Sequence, residues 1–366
     1  MRGKTSRQAH ADLPPGTVEE EHGREGFAGP ASHLYRLHPP TGWSGLEGAL
    51  RPMALDANRL PPAADDDLPA VLLDNADLRI GWWGRPQGEP AWFLRHADGD
   101  VLYLVHQGEG VLETEYGPLA YRPGDYLLVP RGTTHRFVAA APTGLLTVEA
   151  LGGSLALPER GLLGRHALFD PAILEVPDPE PHDEAGEFPV RVLREGQVTT
   201  VTYPFHPFDV VGWKGDLAPL RLHIEDFRPV SSARYHLPPS AHTTFTGPNF
   251  VVATFAPRPL ESDPDVLRLP FYHRNIDYDE VIFYHRGEFF SRAGIREGML
   301  TFHPHGVHHG PQPQAVARSE ERGPGGTADE VAVNVDARQP LHVTAAGASV
   351  AVEGYERSWQ PDRGGS

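Results

Sequence analysis

The chain has 366 residues and no cysteine. Disulfides, thiolate metal sites and cysteine nucleophiles are therefore excluded. Positive charge is scarce as well, with 32 Lys and Arg against 49 Asp and Glu and a net charge of -17. A surface this acidic repels phosphate backbones and anionic lipids, so neither nucleic acid nor membrane is an expected partner. No apolar run approaches the roughly 20 residues needed to cross a bilayer. The opening segment, MRGKTSRQAHADLPPGTVEEEHG, has basic residues but lacks the apolar core of a secretory signal. A cytoplasmic location is the expectation.

Turn formers are plentiful, with 39 Gly and 38 Pro. They favour many short strands over long helices, so the expected class is all-β with few helices. The length allows two domains with sizeable cores. Residues 1–30 are charged and aperiodic and read as a mobile or draped arm. Strand-like runs follow at Val101 to Val105, Val111 to Tyr116 and Tyr126 to Val129. The Pro-rich acidic stretch 176–188, VPDPEPHDEAGEF, reads as a linker between a first domain at 31–175 and a second at 189–366. Beyond it, runs at Val190 to Leu193, Val198 to Tyr203, Phe250 to Phe255, Val281 to Tyr284, Met299 to Phe302, Val331 to Val335 and Leu341 to Thr344 read as strands.

The two halves share the pattern G-x5-P-x-G-x2-H. It is met by Gly124, Pro130, Gly132 and His135, and again by Gly298, Pro304, Gly306 and His309. A duplication of this kind implies two copies of one barrel. The pattern is similar to the second signature of the cupin barrel. The first signature is met by His273, Glu280 and Gly287. The expected architecture is thus two cupin barrels of the jelly-roll type.

His273, Glu280 and His309 have the spacing of three metal ligands on neighbouring strands. Two neutral imidazoles and one carboxylate form the facial set that holds non-haem Fe(II) and leaves positions open. Singly, each of these residues is more simply a satisfied polar group. Together, as buried charges that need a partner or a metal, they point to Fe(II). His303, His305 and His308 lie beside His309. His309 keeps the motif register, and His305 is the alternative ligand or a hydrogen-bonding group for substrate. His285 is expected to face solvent or a subunit contact. The first barrel keeps His96 and His135, but no Glu stands at the matching position before Gly108, with only Asp98 and Asp100 nearby. That barrel is expected to be degenerate and metal-free, with a second metal there as the alternative.

Longer segments resemble one family, the homogentisate 1,2-dioxygenases. They are HPFDVVGWKG from His206, HLPPSAHTTF from His236, FYHRNIDYDEV from Phe271, HGP from His309, VDARQPL from Val335 and YERSW from Tyr355. In the first half, HADGDVLYLVHQGEGVLETEYG and RPGDYLLVPRGTTHRF resemble the family's non-catalytic barrel. The resemblance implies an Fe(II) enzyme that opens the ring of homogentisate with O2 to give maleylacetoacetate, a step of tyrosine and phenylalanine catabolism. It implies iron on His273, Glu280 and His309 and an acid/base role for His236, with His242 the alternative. Tyr272, Arg274, Asn275 and His305 are candidates to orient the substrate, and Arg274 is equally suited to a structural ion pair. The family's substrate-contacting tyrosine aligns with Phe289, so a phenolic hydroxyl is missing here. His273 and Glu280 stand one residue further apart than in animal members, and the chain resembles a shorter bacterial branch. The family forms trimers that pair into hexamers, which implies a homo-oligomer. Two other readings share the fold: a dioxygenase for another hydroquinone, gentisate-like or natural-product phenol, and a non-oxygenase metal cupin such as an isomerase or hydrolase. A binding cupin without turnover would require a lost ligand, and none is lost.

Overall fold

The computed structural model describes residues 13–360 apart from 15, 28, 236, 265–271, 290, 291, 293 and 324. The described residues form strands for the most part, with two short α-helices at Pro313–Arg322 and Ala345–Ser349. None of the described helices is long and apolar enough to cross a membrane.

The first cupin barrel is built from two sheets. One has seven strands in the order Leu220–His223, Asp125–Val129, Asp100–Gln107, Thr143–Ala150, Leu78–Arg85, Ala70–Asp74 and His342–Val343. The other has six, in the order Gln197–Phe205, Ala185–Arg194, Phe93–His96, Thr134–Ala139, Gly110–Thr114 and Gly117–Tyr121. The second barrel carries a six-stranded sheet of Thr243–Gly247, Phe250–Phe255, Val331–Ala337, Asp279–Arg286, Met299–His303 and Met53–Asp56.

Strand alternation explains how the barrels meet. Along Asp100–Gln107, Val101, Tyr103 and Val105 point into the first barrel, where they pack with Trp83, Leu112 and Phe137. Leu102 and Leu104 point the other way, into a cluster shared with Val281, Phe283, Val333 and Val335 of the second barrel. Successive strand residues face opposite sides, and here both sides are buried. This is why these strands read as continuous apolar runs.

The duplication is visible in the backbone. Gly124 and Gly298 take φ of 92° and 81°, and Gly132 and Gly306 take 87° and 88°. These left-handed turns suit glycine. Asp100 and Asp279 open equivalent strands and do equivalent work. Asp100 accepts from the backbone N–H groups of Arg131 and Leu155 at 2.7 and 2.8 Å. Asp279 accepts from those of His305 and Leu341 at 2.8 and 2.7 Å.

Three expectations change. The stretch 1–30 is not only an arm: Val18–Gly23 is a strand between Ala31–Arg36 and Tyr272–Asn275, parallel to the latter. Residues 185–188, expected in a linker, already belong to Ala185–Arg194, which pairs with Phe93–His96 of the first barrel. The sheets change hands only after Leu220–His223, and Met53–Asp56 crosses early to pair with Met299–His303. Pairing partners distant in sequence, and not local composition, set this boundary. His285 does not face solvent. It shares the face of Val281 and Phe283, is buried between the barrels, and its Nδ1 lies 3.0 Å from Nδ1 of His106.

Burial holds His106 at about 4 and His285 at about 3, well below the ordinary value of 6.5. Glu297 works against the shift at His106, while His106 itself, Arg286 and His223 add to it at His285. The unfolded chain therefore takes up protons that the folded pair refuses as pH falls below about 6.5. The stabilising contribution is present above that value and is lost on acidification. Calorimetry should show the thermal midpoint falling between about pH 7 and 5, and falling less in the His106→Gln/His285→Gln variant. Equal losses in the two proteins would mean that the pair is not coupled to unfolding.

Candidate metal centre

Three backbone features bring the candidate ligands together. His273 lies on Tyr272–Asn275 and forms an antiparallel bridge with His309. The His273 N–H donates to the His309 carbonyl at 2.9 Å, and the His309 N–H returns a bond at 3.2 Å. The two rings then meet edge to face at 4.0 Å. Glu280, the second residue of Asp279–Arg286, lies directly opposite His303. Its side chain turns into the second barrel because Val281 and Phe283 occupy the other face.

The donor atoms of His273, Glu280 and His309 all lie within 4.8 Å of one another. Glu280 Oε2 is 3.2 Å from His273 Nε2, and Glu280 Oε1 is 3.6 Å from His309 Nε2. His309 donates from Nδ1 to the Val307 carbonyl at 3.3 Å, which leaves Nε2 as a lone pair. That buried nitrogen has no hydrogen-bond partner. An orphaned lone pair beside a buried carboxylate costs free energy unless a cation completes the set. The residues present therefore fit a metal.

Electrostatics prepare the donors in the same sense. Burial alone would raise the Glu280 carboxyl, but His309, His273 and His303 overcome it and hold the group well below the usual carboxylate range. Burial, reinforced by His309, lowers His273 to about 4, and burial lowers His303 to about 3. An ionised carboxylate among neutral imidazoles is the donor state a divalent metal requires. Asp336, cross-strand from Glu280, is raised well above its ordinary value by burial and by Glu280 itself.

His303 donates from Nδ1 to Glu280 Oε1 at 2.7 Å and meets the Tyr355 hydroxyl through Nε2 at 3.1 Å. Its ring stacks on His309 at 4.7 Å. Trp359 closes the far side and donates to the Gly310 carbonyl at 3.1 Å, and buried Arg292 donates to the same oxygen at 2.5 Å. In the sequence His303 stood out only as one of several surplus histidines. Its position opposite Glu280 in a hairpin was the signal that could have singled it out.

The other expected site residues are spread out. His236 lies outside the described residues, as does the Asn275 side chain. Tyr272 and Arg274 fall on the strand face opposite His273. Tyr272 is buried there, and Arg274 Nε is 3.3 Å from Glu20. His305 donates from Nδ1 to Asp279 Oδ1 at 2.5 Å and does not join the donor cluster. Phe289 packs edge to face on Tyr284 at 4.8 Å. Tyr284 is four strand positions beyond Glu280, about 13 Å at ~3.3 Å per residue. His242 is buried and its Nε2 lies 3.0 Å from the Val230 carbonyl. Phe27, from the N-terminal segment, sets its ring 5.2 Å from that of His273.

Fold and site together define a two-barrel cupin with a buried set of candidate metal ligands in the second barrel; a second candidate group among the described residues, His182, Glu184 and His206, is partly exposed. The chain belongs to the homogentisate 1,2-dioxygenase family. The family's N-terminal model matches residues 89–224 and its C-terminal model matches 226–363. A protein of Saccharolobus solfataricus, named only provisionally as a dioxygenase, is 34% identical over 93% of this chain and 92% of its own. The homogentisate 1,2-dioxygenase of Bradyrhizobium diazoefficiens is 29% identical over 72% of this chain. The chain spans 62% of that relative's length. Among solved structures, a cupin 2 conserved barrel domain protein from Leptotrichia buccalis aligns at 10% identity and a TM-score of 0.36, over 78% of this chain and 96% of its own.

His303 orients Glu280, and such supporting hydrogen bonds typically contribute 10–100-fold to metal affinity. His303→Ala should weaken metal retention by a factor in that range, read as metal content after dialysis against a graded chelator. Retention equal to the parent protein would remove His303 from the site.

Proposed function

We propose that this chain is an Fe(II)-dependent ring-cleaving dioxygenase that converts homogentisate and O2 to maleylacetoacetate. The observation that carries the proposal is the His273–Glu280–His309 set with its unpartnered His309 nitrogen. On this reading these three residues hold the iron. Bound Fe(II) supplies open positions for a phenolate and O2 and the electron transfer between them.

The chain's own groups do the rest. Against the effect of burial, the neighbouring histidines hold the Glu280 carboxyl well below the usual carboxylate range, and burial lowers His273 to about 4, so both donors are favoured in the state that binds metal. His236 takes the proton of the ring hydroxyl, a task suited to a neutral imidazole near pH 7. Arg274 and His305 act as positioning residues. Arg274 with Glu20 fixes the strand that carries His273, and His305 with Asp279 fixes the start of the strand that carries Glu280. The Phe27 ring helps to keep water from His273. Asn275 and Phe289 complete the proposed substrate-binding group, and Tyr272, buried on the strand face opposite His273, supports it from behind. The enzyme is proposed to be a cytoplasmic homo-oligomer, a trimer or hexamer.

Phe289 favours a second reading, in which the substrate is another hydroquinone or a gentisate-like phenol, because Phe289 offers no hydroxyl to a ring substituent. Oxygen uptake separates these readings. Protein loaded anaerobically with Fe(II) should consume O2 with homogentisate and give a ring-opened product, and His309→Ala should consume none. Uptake with gentisate alone would establish the second reading. No uptake with either phenol, despite bound iron, would overturn both substrates and leave a different phenol or a non-oxygenase cupin.

A further inference from the structure

The first barrel does not keep the ligand set of the second, but it keeps its geometry. By strand position Val101 stands where Glu280 stands in the second barrel, one residue after the equivalent aspartates Asp100 and Asp279. Two residues further on, and on the same face, Tyr103 reaches into the space the missing carboxylate would fill. Its hydroxyl is 3.0 Å from His135 Nε2 and 3.5 Å from His96 Nε2. The two imidazoles lie nearly parallel at 6.1 Å on either side of it. Tyr103 and His135 have no exposed surface, and His96 is 4% exposed.

The tautomers follow from the outer partners. His96 Nδ1 donates to Glu149 Oε1 at 3.3 Å, and Arg79 holds the other oxygen of that carboxylate at 3.0 Å. His135 Nδ1 donates to the Thr133 carbonyl at 3.1 Å. Both Nε2 atoms are therefore lone pairs, and they converge on a phenol with one proton to give. One lone pair is left over. A ring nitrogen whose partner N–H is anchored by a carboxylate or carbonyl is the usual arrangement around a bound metal. Donor separations of 3.0 and 3.5 Å are close to the ~3.4 Å edge of a tetrahedron whose centre lies about 2.1 Å from each corner. A cavity of about 470 Å³, lined by His96, Glu149, Arg79 and Thr147, gives access.

We propose that the first barrel binds a borderline divalent transition-metal cation through His96 Nε2, His135 Nε2 and the Tyr103 oxygen, with a fourth position open toward the cavity. The cation displaces the phenol proton to solvent, so charge and protons balance. The site is independent of the ring-cleavage chemistry, and it gives residues to the alternative of a second metal in this barrel.

The test counts Zn²⁺ per chain after equilibrium dialysis of His309→Ala, in which the second-barrel centre is disabled, and of Tyr103→Phe/His309→Ala. About one equivalent is expected in the first protein and none in the second. Tyr103→Phe keeps the ring and its packing, and an unchanged metal-free melting temperature shows that the fold survives. Cu²⁺ gives a second readout: a visible tyrosinate charge-transfer band in His309→Ala that disappears in the double variant. If His309 is not a ligand, His309→Ala keeps about two equivalents and Tyr103→Phe still removes one. An equal Zn²⁺ count in the two proteins, for instance from ion held at the partly exposed His182, Glu184 and His206 group, would overturn the assignment, as would no Zn²⁺ at all in His309→Ala.

Discussion

A buried negative charge governs the interior of the second barrel. Glu280 is 6% exposed and sits among His273, His303 and His309. A carboxylate removed from water costs several kcal/mol unless something compensates it. Here a short bond from His303 supplies part of the compensation, and hydrogen bonds to charged groups contribute about 1.5–3 kcal/mol each. The remainder falls to His309 and to His273, whose neutral form burial favours. Neutral imidazoles cannot fully offset a charge. Buried Arg292 supplies one cation that interacts with Glu280 and a bound metal would supply another, while burial and Glu280 itself raise the cross-strand Asp336 carboxyl and favour its neutral form.

The back-to-back packing makes such a site affordable in stability. Each barrel contributes one sheet face to the shared apolar cluster, and that cluster includes Leu102, Leu104, Val281, Phe283, Leu300 and Phe302. Burial at about 25 cal/mol per Å² makes this layer the main stabilising contribution between the barrels. The opposite faces of the same strands are then free to carry polar groups. In the second barrel that face holds Glu280, Thr301, His303, Asn334 and Asp336, all buried. In the first it holds Tyr103 among apolar neighbours. One architecture thus supports two interiors, and the choice between Val101 and Glu280 at one strand position separates them.

The strands from Val101 to Val335 were legible because their apolar runs are bounded by Gly, Pro and Asp, and the structure extends most of them by one to three residues. The ligand trio was legible because it obeys a spacing. The residues that support it were not. His303 acquires meaning only from its register with Glu280, and Tyr355 and Trp359 reach it from a tail some fifty residues away. Arg274 and His305 read as substrate groups because local sequence does not reveal that Glu20 and Asp279 engage them. His285 was misplaced for a reason the pattern did contain. It continues the alternation Val281, Phe283, which already faced the core. The domain boundary failed differently, because Pro-rich acidic composition marks an exposed strand edge as readily as a linker.

Val18–Gly23 from early in the chain lies against the strand of His273, and Tyr355 and Trp359 from late in it lie against the ring of His303. Val18–Gly23 pairs in parallel with the strand that carries His273. Three consecutive glutamates of that strand, Glu19, Glu20 and Glu21, are buried. Alternation assigns them different tasks. Glu20 turns toward Arg36 and Arg274, whose charges neutralise it, and His308 Nε2 lies 2.9 Å from Glu20 Oε1. Glu21 is in register with His273 and shares its face. Burial raises its carboxyl above the ordinary value, an effect that Glu19 reinforces and His33 opposes. A strand made of acidic residues would not form on propensity alone. It is held by its two neighbours and by the ion pairs on one face. The segment that covers His273 is therefore stable only while the strand beneath it is in place, which couples the order of the N-terminal strand to the integrity of the ligand set.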